Sequence, residues 1–468
     1  MGAHWSLLEW LALVEHELLL FAGIFFLVGA LDELCVDGVW LWQRLKYPRL
    51  TQRLDRSDVR SRTLGGHAAV FIPAWREEAV IEHTIAHALR SWTHADYTLY
   101  VGCYGNDAAT FEAAMRGAGC DARVRLVIHD VEGPTTKADC LNRLYTAMQV
   151  DERRRGTPFR MIVLHDAEDM VDPAELGLLD RAIERSSFVQ LPVVPLPQRE
   201  SRWIGSHYCE EFAEAHGKTM VVRDMLGVAL PAAGVGCAFE RGILAEMARI
   251  IGTDGPFSID SLTEDYELGM RIELAGGTSR FLRVRGDDGT LIGTRAYFPS
   301  RIDEAVRQKS RWVHGIALQG WDRLGWSGGI AEFWMRLRDR RGPFAALVLA
   351  CGYAFFLLTG LFFLLGGLGV ERPWQTDPLL AALLFANLAS FAWRAAMRFA
   401  FTAREYGLVE GARAVLRIPV ANIISIMAGR RALFAYVRTV TGGQPQWDKT
   451  MHYRHPAAEA DRLEEAAV

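Results

Sequence analysis

Thr263-Glu264-Asp265-Tyr266 and Gln308-Lys309-Ser310-Arg311-Trp312 bound the stretch on which the reading of this chain turns. The first sets two carboxylates at the start of a predicted helix. Thr263 suits the N-cap, and acids are favoured in a first helical turn. The second places a planar cation beside an indole and an amide, which suits gripping a phosphate and covering a sugar or base. Long apolar segments follow.

Upstream, residues 67 to about 300 alternate short apolar runs with amphipathic patterns. Residues 67–73, 97–104, 123–129 and 160–165 read as strands, and 77–92, 108–116, 137–149 and 173–185 as helices. The alternation predicts an α/β fold, a mostly parallel sheet with helices on both faces. Ligands in such sheets bind beyond the carboxyl ends of the strands. Polar residues collect there: Pro73 to Glu78 after the first strand, Gly105-Asn106-Asp107 after the second, and His165-Asp166-Ala167-Glu168-Asp169 after the fourth. Converging carboxylates of this kind suit a hard divalent cation, Mg²⁺ or Mn²⁺.

The 468 residues suffice for one large domain or two to three smaller ones, and the net charge of −4 gives no bulk electrostatic case for nucleic acid. Seven scattered cysteines without a CxxC pair disfavour a zinc site or disulfide scaffold. Both ends are apolar. One span is expected near residues 16–42, with its acids near the ends and Arg44, Lys46, Arg49 and Arg53 after it. Residues 342–370 are an uncharged run preceded by Arg336, Arg338, Arg340 and Arg341; residues 378–393 return to Arg394, Arg398 and Arg404. The apolar run 418–429 is about 12 residues, short for the bilayer core, and reads as interfacial or re-entrant. The positive-inside rule places the middle of the chain in the cytoplasm. The expected order is a membrane segment (1–50), a cytoplasmic α/β domain (60–325), a membrane hairpin plus interfacial helix (335–440) and a cytoplasmic tail (441–468). Residues 202–222 are amphipathic and read as an acceptor-side or interfacial helix.

In order along the chain stand Ile72-Pro73-Ala74-Trp75-Arg76-Glu77-Glu78, the Val101–Asp107 segment, Gly133-Pro134-Thr135-Thr136-Lys137-Ala138-Asp139-Cys140-Leu141-Asn142, the His165–Asp169 turn, Gly234-Val235-Gly236-Cys237-Ala238-Phe239, Thr263-Glu264-Asp265 and Gln308…Arg311-Trp312. This set resembles the processive membrane glycosyltransferases of family 2, and within them the phage adsorption protein B branch, which the Trp447–His452 segment also resembles. The resemblance implies a GT-A nucleotide-sugar fold flanked by transmembrane helices in a bacterial inner membrane. The implied activity is inverting transfer from a UDP-linked sugar to a growing exopolysaccharide.

By the same resemblance, Pro73, Glu77 and Asp107 hold the nucleotide, Lys137 the diphosphate, and Asp166 with Glu168 or Asp169 the metal. Asp265 is the general base, oriented by Glu264. Gln308, Arg311 and Trp312 close over the diphosphate, while Gly236, Cys237 and Trp312 meet the acceptor. Membrane lipids, the polysaccharide and an outer-membrane secretion partner are the implied partners, and no room is left for an extra regulatory domain. Two other readings stand beside this one: transfer of a single sugar to a lipid carrier, and a non-catalytic membrane scaffold.

Overall fold

The computed structural model describes residues 6–47, 51–326, 328–370, 378–442 and 449–459. A 40-residue helix, α1 (Leu7–Lys46), opens the chain, its first turn closed by a reciprocal Ser6–Glu9 capping box. The α/β body follows. Its main sheet has seven strands, β1 (Ala68–Pro73), β2 (Tyr97–Tyr104), β3 (Val124–His129), β4 (Met161–Leu164), β5 (Phe188–Gln190), β6 (Cys237–Glu240) and β7 (Ser279–Phe281), in the order β3-β2-β1-β4-β6-β5-β7.

β1 to β4 are mutually parallel, as expected, but β6 runs antiparallel between β4 and β5. The sheet is therefore mixed. Helices cover both faces. Val70 and Ile72 enter one apolar core and Phe71 the other, so β1 reads as an unbroken buried run rather than an alternating one. The helices Ile81–Ser91, Ala108–Ala118, Lys137–Arg155 and Glu175–Ile183 overlap the expected ones, the first starting four residues late and the third running six residues past 149.

Four described helices are long and apolar enough to cross a membrane: α1, α2 (Gly342–Gly367), α3 (Pro378–Tyr406) and α4 (Ile418–Val440). α1 overruns the 16–42 expectation at both ends. Its acids Asp32, Glu33 and Asp37 lie within it and meet cations from other helices. Lys218 Nζ, almost fully buried, lies 2.6 Å from Asp37 and 2.8 Å from Glu214. Arg394 lies 2.6 Å from Glu33, which Arg338 and Arg341 also reach. The network ties α1 and α3 to the helix His207–Glu214 and the π-turn Ala215–Thr219 after it.

α4 departs from the sequence reading in length. It runs through Arg430 and Arg431 to Val440, because charged side chains do not interrupt a backbone ladder. Both of its flanks are bonded to the α/β body. Arg417, fully buried, reaches Glu210 at 2.7 Å and Glu410 at 2.6 Å, and Lys449 reaches Glu77 at 3.0 Å. Replacing Arg417 by Ala would strand two buried carboxylates. It should lower stability by about 3–5 kcal/mol, seen as a clear fall in the Tm of the detergent-solubilised protein; an unchanged Tm would show that these ions carry no structural role.

Candidate active site

A cavity of about 400 Å³ lies at the carboxyl ends of β1, β2 and β4. It is lined by Pro73, Glu77, Lys137, Asp166, Glu168, Asp169, Glu264, Asp265, Gln308, Arg311 and Trp312, so eleven of the fourteen residues expected from sequence meet in one place. Lys137 begins its helix behind the Thr136 cap, and its Nζ lies 2.6 Å from Asp166 Oδ1. Burial disfavours its charge, but Asp166, Glu264 and Asp265 outweigh that and hold the ammonium well above its usual range.

Glu264 and Asp265 open the helix Glu264–Arg271. Thr263 precedes it, yet its hydroxyl does not cap; Thr263 Oγ1 is buried with no hydrogen-bond partner among the described residues. The Tyr266 N–H donates to Asp265 Oδ1 at 2.7 Å. Burial raises both carboxyls. Asp265 raises Glu264 further while Lys137 lowers it, leaving Glu264 at about 7.

Three sequence assignments change. Asp107 does not line the cavity: its carboxylate caps the helix Ala108–Ala118 and accepts the Arg76 N–H at 2.5 Å. Asp169 borders the cavity, but its Oδ2 accepts the Asp166 N–H at 3.0 Å and lies 2.9 Å from His165 Nδ1. Through that oxygen it braces the turn. Gly236 and Cys237 lie off the cavity: Cys237 is fully buried in the sheet core, and Gly236 backs onto Thr294. Pro231, Ala232, Ala233 and Val235 line the wall there instead.

Gly234 has a role that was not assigned from sequence. Its φ is +76°, and a Cβ there would fall 2.2 Å from Asp265 Oδ2, so only glycine lets the carboxylate take its place. The C-terminal segment is the larger omission. Lys449, Thr450 and His452 line the cavity. Lys449 donates to the Trp75 and Arg76 carbonyls. His452 bridges Glu77 (3.1 Å) and Glu168 (3.1 Å), and the three offer ligand atoms within 4.8 Å of one another. Burial pushes Glu168 up to about 8, with His452 pulling the other way and Asp166 adding to the rise. Burial lowers His452, but Glu168 and Glu77 more than offset it and lift it to about 9. The resemblance of this segment was legible but its role was not; Trp447 and Asp448 of that motif lie outside the described residues.

Trp312 packs edge-on against Tyr208 (6.1 Å) and Phe212 (6.3 Å), both from the helix His207–Glu214, so the stretch expected on the acceptor side does wall the cavity. Gln308 Oε1 and Thr450 Oγ1, like Thr263 Oγ1, are buried without a partner among the described residues. Three such atoms around one cavity mark where a polar ligand would bond.

Residues 66–315 match the family described as "Glycosyltransferase like family 2". The chain belongs to that family. It is 32% identical over 479 residues to bacteriophage adsorption protein B of Escherichia coli K12, and equally to bacteriophage N4 adsorption protein B of Escherichia coli O157:H7. Each match covers 95% of this chain but 62% of the relative, so the chain spans under two thirds of their length. Among solved structures it is similar to the mannosyltransferase PcManGT from Pyrobaculum calidifontis in complex with GDP-Man and Mn²⁺ (15% identity, TM-score 0.46, 84% of this chain and 99% of that one). It is also similar to glucosyl-3-phosphoglycerate synthase from Mycobacterium tuberculosis in complex with Mg²⁺ and UDP (18%, 0.32, 56% and 86%). The family's domain thus sits on the mixed α/β sheet described above.

Gly234→Ala should displace Asp265. Turnover should fall by about a hundred-fold or more while nucleotide affinity stays within a few-fold, measured by product release beside calorimetry. An equal loss of both would place Gly234 in the fold rather than in the site.

Proposed function

We propose that the protein transfers a sugar from a UDP-linked donor to a hydroxyl of a growing exopolysaccharide, with inversion, at the cytoplasmic face of a bacterial inner membrane. The observation that carries the reading is the convergence of Asp265, the Lys137–Asp166 pair and Arg311 on a cavity holding three polar atoms without a partner among the described residues. Trp75 and Tyr104, with ring centroids 5.0 Å apart, offer the base an aromatic wall beside Pro73. Lys137 and Arg311 grip the diphosphate. Asp265 accepts the acceptor's proton as the hydroxyl attacks the anomeric carbon, and a single displacement needs no enzyme nucleophile. Trp312 presents its face to the acceptor.

A divalent cation fits the site. Glu168 and His452, with Asp166 on the same turn as Glu168 and Glu77 close by, would hold Mg²⁺ or Mn²⁺. Its charge would neutralise the departing diphosphate. Asp166, Glu77 and Glu168 are already matched by Lys137, Lys449 and His452, so an incoming cation has positive side chains to displace.

The topology reading follows from α4. Since both of its flanks bond to the α/β body, the segment 449–459 lies on the same side as that body. α2 leaves and α3 returns, and α4 lies along the interface. Membrane lipids then surround α1, α2 and α3, and an outer-membrane partner would receive the product.

Asp265→Asn should lower transfer by about a thousand-fold with UDP binding retained, in detergent-purified protein offered a panel of UDP- and GDP-sugars. Turnover by that variant, or no nucleotide binding by the parent, would overturn the reading. Because burial holds the Glu264–Asp265 pair high, kcat/KM should drop as pH falls through about 7, where the pair takes up a proton and the base is lost. An acid limb confined to the ordinary carboxylate range would contradict this. His452→Ala should raise the Mn²⁺ concentration for half-maximal activity by about ten-fold or more.

A further inference from the structure

A second and larger cavity, about 1850 Å³, opens between the helix Ile302–Trp312 and α4. It shares Lys137, Glu264 and Arg311 with the first, so it reaches Glu264, the neighbour of Asp265, by another approach. Its outer wall is one face of α4: Met427, Arg430, Arg431, Phe434 and Arg438, spaced three, four and seven apart. Beside that wall Ile424 packs on Tyr208, Ala305 and Val306 of the α/β body, while the far side of α4 runs along α2, where a Cβ on Gly429 would meet Ala346 and Asn422 bonds the Tyr353 hydroxyl.

Two features of this wall point to one ligand chemistry. Arg430 and Arg438 are exposed and have no carboxylate partner among the described residues. Phe434 (64% exposed) stands between them on the wall, and Leu433 and Val437 are exposed on the helix beside it. Arginines among exposed apolar groups, on a helix packed along a membrane-length helix, suit an anionic headgroup with a lipid tail. A water-soluble acceptor would need neither the apolar groups nor the position.

We propose that this cavity holds the acceptor, and that the acceptor is a glycan carried on a phosphate-bearing lipid. The inference rests on the transferase reading above and names its acceptor class. The lipid phosphate sits against Arg430 and Arg438, and the glycan extends inward to Asp265. The acceptor hydroxyl oxygen forms the new bond to the anomeric carbon, the bond from that carbon to the nucleotide diphosphate breaks, and its electron pair leaves with the diphosphate. The hydroxyl proton passes to Asp265, and the lipid phosphate is unchanged.

The test uses the full chain in phosphatidylcholine nanodiscs with saturating UDP and Mn²⁺, so that the donor site is filled. Retention of radiolabelled farnesyl diphosphate is measured against empty nanodiscs, for the parent and for an Arg430→Ala/Arg438→Ala double variant. Saturable retention by the parent, weakened about ten-fold or more in the variant with UDP affinity unchanged, is expected. Equal retention by both proteins overturns the proposal. Displacement by inorganic diphosphate at equal concentration also overturns it, since a phosphate site without lipid preference would then exist. Loss of UDP affinity in the variant would assign the cavity to donor entry instead. If the parent binds no UDP, the donor reading fails, while the lipid comparison still decides this proposal.

Discussion

Carboxylates crowd the carboxyl edge of the sheet, and the site depends on how their charge is held. Glu77, Asp166, Glu168, Glu264 and Asp265 face one cavity. Left alone they would repel one another and shed their charge by taking up protons. Lys137 answers Asp166, Lys449 answers Glu77, and His452 lies between Glu77 and Glu168. These cations come from the helix after β3 and from the far end of the chain. The site is therefore complete only when the C-terminal segment has docked.

Much of the fold was legible because burial on both faces leaves a plain mark in sequence. β1 and β2 are runs of buried residues bounded by polar turns, and the four expected strands fall within a residue or two of their observed ends. β5, β6 and β7 were not legible. They are three or four residues long, too short for a periodicity, and the antiparallel insertion of β6 depends on tertiary pairing.

In the site, sequence shows which carboxylates follow strands but not where each points. Asp107 and Asp166 occupy equivalent places, yet one caps a helix and the other faces the cavity. Asp169 and Glu168 look alike in sequence, and only the structure shows that Asp169 also meets His165. Cys237 sits beside the cavity wall in sequence, but strand alternation turns it into the core. Counting apolar residues ended α4 at Gly429; the arginines that stopped the count instead line a cavity. His452 could not be placed at all, because only the folded chain brings it to Glu168.

α1 carries a mechanical consequence. At about 1.5 Å per residue, its 40 residues make a strut of roughly 60 Å, about twice the thickness of a bilayer's hydrocarbon. The strut has no break between its apolar part and the acids that grip Lys218 and Arg394. A thinner bilayer tilts such a helix rather than shortening it. The tilt would pass as leverage into the π-turn Ala215–Thr219, whose Ala215 and His216 wall the cavity. Lipid chain length would then act on this cavity as an input, without any ligand binding.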